Sequence, residues 1–178
     1  MYNLTISGTA GERSSIKDLF GDKYDLTEDL SQTNVLVILD DGKSEIPDSK
    51  LLFAVCDMTD NGLPESVLDY CAERGICVFR DADTVNDFIE NGNAVNAAGL
   101  PDIDLGPFGS DMCRIVIMMK GIDDPILLAA MMFSGMDVRA VAGGLNGDHG
   151  CALVALREPV TRIPHVDGVL KVRVLQDI

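Results

Sequence analysis

The chain is expected to be an α/β protein in two parts. A small three-layer α/β lobe on a largely parallel sheet spans residues 1–95, and an α+β lobe spans 112–178. Three observations lead there. First, short continuous apolar runs (Asn34 to Asp40, Leu51 to Asp57, Ile76 to Phe79) are interleaved with amphipathic helical stretches. That is how strands covered on both faces read. Second, a strand and one helix after Cys113 lead into two long apolar runs flanking Asn146-Gly147, a strong hairpin signal. Third, the charge steps between the parts. There are 21 acidic and 7 basic residues up to Gly109, a net of −14, and 8 acidic and 7 basic from Ser110 onward, a net of −1.

Each element follows from local pattern. Tyr2 to Ser7 opens the chain as a strand, and the loop Gly8 to Ser14 leads to a helix over Ser15 to Phe20. Ser14 is its expected N-cap, with Ile16, Leu19 and Phe20 as the apolar stripe. Pro64 starts a second helix whose apolar face is Leu63, Val67, Leu68 and Cys71, and Gly75 ends it. Asp83 to Glu90 is a third helix, on Val85, Phe88 and Ile89, stopped by Asn91-Gly92. A linker is expected at 96–111, where Gly99, Pro101, Gly106, Pro107 and Gly109 break any period.

In the second part, Cys113 to Met119 is a buried strand. Asp123 or Asp124 caps a helix with Pro125 at its first position and Gly135 past its end. Val138 to Leu145, Gly150 to Arg157 and Gly168 to Leu175 are the remaining strands. Over residues 112–176 this order resembles the ferredoxin-like, ACT-type fold, with its second helix reduced to the loop around Thr161 to His165. The resemblance implies a four-stranded sheet covered by one helix.

Composition narrows the function. With 178 residues, 47% of them apolar and no Trp, the core must be Val, Ile, Leu, Ala and Met. The longest wholly apolar helix candidate, Ile126 to Phe133, is far short of a bilayer span, and Met1 to Ser7 lacks the features of a secretory leader. The five cysteines (Cys56, Cys71, Cys77, Cys113, Cys151) sit in apolar patterns and read as reduced, buried thiols, which points to a cytoplasmic protein. The acidic first part repels nucleic acid and anionic membrane, leaving cations, basic proteins or nothing as what it would meet. A protein partner or a second copy is expected at the C-terminal lobe instead.

Three constellations are candidates for chemistry. The loop Gly8-Thr-Ala-Gly-Glu-Arg-Ser-Ser15 lies between a strand and a helix, but it lacks the lysine of a P-loop and the third glycine of a dinucleotide site. Asp40, Asp57 and Asp81 follow three adjacent strands, with Asp41 and Asp60 beside them. Carboxylates at the carboxyl ends of parallel strands are hard ligands for a divalent cation, the cofactor this set would take. The same Asp residues serve equally to stop strands and start turns.

The third constellation is the segment Gly143 to Cys151. It places His149 and Cys151 two apart on a strand, facing the same side. With Gly143, Gly144, Asn146 and Asp148 they form a candidate ligand site, or a thiolate–imidazole pair without an orienting third group. No catalytic residue is assigned. Two functions remain. One is a non-catalytic accessory or regulatory protein that self-associates or docks on a larger protein through its C-terminal lobe, where Ile126 to Phe133 is apolar on every side. The other is a small metal- or ligand-dependent enzyme using the Asp set or His149 and Cys151.

Overall fold

A computed structural model of the chain describes residues 2–40, 45–90 and 113–175. It contains helices and two separate sheets. The first sheet is formed by β1 (Tyr2–Ser7), β2 (Tyr24–Leu26), β3 (Val35–Ile38), β4 (Ala54–Asp57) and β5 (Cys77–Phe79). All of its strands are parallel, in the order β2-β1-β3-β4-β5. Its helices are α1 (Ala10–Phe20), α2 (Glu65–Arg74) and α3 (Ala82–Glu90). The second sheet is formed by β6 (Cys113–Lys120), β7 (Val138–Asn146), β8 (His149–Leu156) and β9 (Val169–Leu175), and α4 (Pro125–Met132) joins β6 to β7. Its order is β7-β8-β6-β9, with every neighbouring pair antiparallel.

Why these residues form these layers is plain from their alternation. In β1, Tyr2, Leu4 and Ile6 enter a core that also takes Val35, Val37, Phe20 of α1 and Val85 of α3. On the other face of the sheet, Leu36, Ile38, Val55 and Val78 pack with Cys71, Val67 and Leu68 of α2. Helices therefore lie on both faces, and β3 and β4 are buried along their whole length, as their unbroken apolar runs require.

The second sheet is two-sided in the same way. Val116, Met118, Cys151 and Leu153 join the core of the first sheet. Ile115, Ile117, Ala152 and Val154 face the opposite way, onto Ala129 and Phe133 at α4. β5 meets β7 and β8, while α2 meets β6 and β9. Arg173 of β9 fastens this joint. Its guanidinium donates to the carbonyls of Leu52 (2.9 Å), Arg74 and Gly75 (3.5 Å each), and also to that of Lys50. Two of those carbonyls lie at the C-terminal end of α2, where a cation is favoured.

Several boundaries differ from the sequence expectation. α1 begins at Ala10, not Ser15, because Thr9 and Glu12 form a capping box: the Glu12 carboxylate accepts the Thr9 N–H and hydroxyl, each at 2.8 Å. Ser14 lies inside that helix. β2 and a 3-10 turn at Leu30–Gln32 were not expected from the pattern, since each is only three residues long. β3 and β4 are shorter than their apolar runs. The hairpin turn is Gly147-Asp148, with Asn146 paired to His149, since Gly147 takes the positive φ of 63°. The segment 158–167 after β8 contains no helix. The expected linker at 96–111 lies outside the described residues.

Candidate functional site

Asp57 ends β4 wholly buried, and its carboxylate is fully engaged. One oxygen accepts the N–H and hydroxyl of Thr59, while the other accepts the Leu63 N–H at 2.9 Å and Arg80 Nη1 at 3.1 Å. Arg80 also donates to the Thr59 carbonyl at 2.8 Å. The carboxylate thus builds the turn from β4 towards α2 and is paired with the Arg80 guanidinium.

Asp81 has a second structural task. It accepts the Thr84 N–H at 2.7 Å and the Thr84 hydroxyl at 2.8 Å, so it caps α3. Asp40 is exposed just past β3. The three carboxylates are not brought together as a ligand set. Among the described residues, no group of three His, Cys, Asp or Glu side chains is placed to hold a metal ion.

The hairpin is more tightly built than a ligand loop needs. A Cβ at Gly143 would stand 2.1 Å from the Cys151 carbonyl oxygen, so glycine there permits close approach of β7 to β8. At Gly150 a Cβ would meet Pro125 of α4 at 2.7 Å. His149 is nearly buried. Its Nε2 lies 2.8 Å from Asp69 Oδ1 on α2, and its Nδ1 faces Asp148 Oδ1 at 3.3 Å.

Asp69 is the carboxylate that His149 meets, a contact that spacing alone could not locate. His149 holds the Asp69 carboxyl below its ordinary range by hydrogen bonding, helped by the charge of Lys120. Lys120 in turn reaches Glu65 at 2.9 Å and Asp69 at 3.6 Å, and the Glu65 hydrogen bond raises its pKa. No local signal in the sequence joins His149 to a carboxylate 80 positions earlier. The only hint was that Glu65 and Asp69 share one face of α2.

Cys151 shares the face of His149 but turns into the core beside Cys77. Burial, and then a hydrogen bond with Cys151, pushes the Cys77 thiol well up. Burial likewise pushes Cys56 and Cys71 up to about 12 each, with the charges of Asp81 and Asp57 adding to the effect at Cys56. These are poor nucleophiles at neutral pH. All five cysteines are free. A cavity of about 10 Å³ is lined by Met118, Asn146, His149 and Cys151, among others. That is room for one water molecule, not for a substrate.

The remaining candidate is α4. Asp124 caps it by accepting the Leu127 N–H at 3.0 Å. Ala129 and Phe133 face the sheet and are buried, while Leu127 is 54% and Met131 62% exposed, one turn apart on the outer side. Among the described residues, the apolar side chains clustered with α4 come from the second sheet and its loops. Among the described residues, no helix is long and apolar enough to cross a membrane. No protein-family model matches the chain, and no curated protein matches it in sequence.

Proposed function

We propose that this chain is a non-catalytic accessory or regulatory protein that associates through its C-terminal half, with α4 meeting a second copy of itself. The observation that carries the reading is the outward pair Leu127 and Met131 on a helix with no charged side chain between Pro125 and Met132. Exposed apolar strips of this kind mark interfaces more often than they mark monomer surface.

Two facts favour a second copy over an unrelated partner. The half bearing α4 is nearly neutral, so it can meet itself without repulsion. α4 is also the layer beyond the second sheet, so pairing through it leaves the acidic first halves outermost. The strand order β9-β6-β8-β7, with α4 crossing from β6 to β7, supports the finer reading of this half as a ferredoxin-like, ACT-type lobe. The division into lobes at 1–95 and 112–178 belongs to the same proposal.

Burying a half-exposed Leu or Met contributes about 1 kcal/mol. A symmetric pair of α4 helices buries four, about 4 kcal/mol, at the low end of the cost of association. The half-buried Ile126, Leu128, Ala130 and Met132 beside them must supply the rest. Association is therefore expected to depend on concentration. Sedimentation velocity over a concentration series should show a monomer–dimer equilibrium that Leu127→Glu with Met131→Glu abolishes without changing the fold. A wild-type chain that stays monomeric at the highest concentration defeats the proposal.

A further inference from the structure

In the first sheet the strand order reverses at β1. The chain runs outward from β1 to β2, then returns past β1 to β3. In parallel sheets wound this way, the crevice at the carboxyl ends of the two strands flanking the reversal, here β1 and β3, is where ligands bind. The fold adds something specific at this place. α1 and α3 cover one face of the sheet, but on the other face α2 covers only the side towards β5. A 3-10 turn of three residues, not a helix, connects β2 to β3. A groove of about 680 Å³ lies over the uncovered part, within the range of small-molecule sites.

The lining says what the groove would take. Its sheet-borne hydroxyls are already committed. Thr5 bonds to the Thr27 carbonyl at 3.0 Å and to the Thr33 hydroxyl at 2.6 Å, and Ser7 bonds to the Val37 carbonyl and the Leu39 N–H. What remains open is apolar: Leu26 and Leu30 stand 50% and 42% exposed at the groove wall. The charged groups at its rim are Arg13, Glu28 and Glu45. Arg13 is spent on Glu28 at 2.8 Å and on the Gly8 carbonyl at 2.9 Å. Among the described residues one carboxylate, Glu45, is therefore in excess, within a half of the chain that is already strongly acidic.

The usual alternative ligand, a phosphate at the first helix N-terminus, is answered by the protein itself. The Glu12 carboxylate occupies that end of α1 and accepts the Thr9 N–H there.

From the uncovered sheet face, the exposed leucines and the unbalanced acidic rim, we infer that this groove binds a small organic cation. Its ammonium would lie at Glu45, beside the Arg13–Glu28 pair, with an apolar body against Leu26 and Leu30. The inference is independent of association through α4, because the groove lies in the first half of the chain.

The test is an amide NMR titration of the full-length protein with two probes of the same shape, phenethylamine and 3-phenylpropionate. The amine should shift the amides of Thr5 to Ser7, Leu26 to Glu28 and Leu30 in a saturable way, and the carboxylate should not. Glu45→Gln should weaken the amine about three- to fivefold, the weight of one exposed ion pair. Leu30→Ala, at a half-exposed wall position, should weaken both the amine and a neutral phenyl probe while leaving the remaining spectrum in place. Equal response to amine and carboxylate overturns the inference, as does no response at these amides. Amine shifts spread over the acidic surface without saturation overturn it too.

Discussion

The two sheets treat polarity in opposite ways. In the first, helices lie on both faces of the sheet, and two carboxylates at the strand ends, the buried Asp57 and the exposed Asp81, make a turn and a cap. Asp57 binds Thr59, Leu63 and Arg80, and Asp81 binds Thr84. In the second, long antiparallel strands carry few charges, and the apolar surplus faces outward on α4. The first half carries nearly all of the net negative charge, while Leu127 and Met131 stand exposed on α4 in the nearly neutral second.

The sharpest way to break this comparison is at Asp57. If its carboxylate is structural, Asp57→Ala strips the partners from two backbone N–H groups and leaves Arg80 with one bond fewer. Removing one partner from a buried, hydrogen-bonded ion pair costs about 3–5 kcal/mol, and the partial exposure of Arg80 places the expectation near the lower figure. Urea unfolding reads it directly. A loss under about 1 kcal/mol would return Asp57 to the list of free ligands.

Gly143→Ala probes the other sheet. A Cβ 2.1 Å from a carbonyl oxygen must push β7 from β8, at about 2–3 kcal/mol. The hairpin amides should lose hydrogen-exchange protection first. Protection lost evenly across both sheets would show that the halves do not unfold separately.

The joint between the halves should be weaker than either core. Arg173→Ala removes charged hydrogen bonds to the carbonyls of Leu52, Arg74 and Gly75, an expected loss of about 2 kcal/mol. Arg173→Lys should recover little, because an ammonium cannot reproduce the spread of donors that spans those carbonyls. Thermal unfolding of Arg173→Ala followed by two probes, one in each sheet, should separate into two transitions. A single coincident transition would mean that the shared core of Val116, Met118, Cys151 and Leu153, and not Arg173, couples the sheets.

Much of the fold was legible because its signals are local. Unbroken apolar runs marked β3, β4 and β6; Pro125 with Asp124 marked the start of α4; Gly75 marked the end of α2 with its left-handed φ of 68°. Thr9 and Glu12 had the spacing of a capping box, so the early start of α1 was readable but hidden by the glycines around it. β2 was not readable, because a three-residue edge strand takes its place from pairing with β1 and not from its own pattern. The site residues divide along the same line. His149 and Cys151 do share a face, as two-residue spacing dictates, but what each touches is set by other elements. Asp69 on α2 and Cys77 on β5 became their neighbours only through the packing of one sheet on another, which leaves no periodic trace.

The smallest expected effect tests whether that packing is felt by ionisation. The Asp69 carboxyl is held below its ordinary value, first by the His149 hydrogen bond and then by the Lys120 charge. A carboxyl depressed in the folded state stabilises it at pH values above the unfolded pKa, about 3.9 for Asp, and the contribution fades as pH falls through the lower folded value. Stability of the wild type should therefore fall more steeply below about pH 4 than that of Asp69→Asn. Glu12 is depressed too, but by Thr9 within its own capping box. Glu12→Gln should flatten the same acid limb without involving the second sheet. The two can be told apart by pairing each with His149→Gln. That second change should remove most of the remaining difference for Asp69, since the carboxylate loses its main partner, and none of the difference for Glu12. If His149→Gln leaves the acid limb of the Asp69 comparison untouched, the contact between α2 and β8 is packing alone, and the ion cluster on the joint plays no part in holding the sheets together.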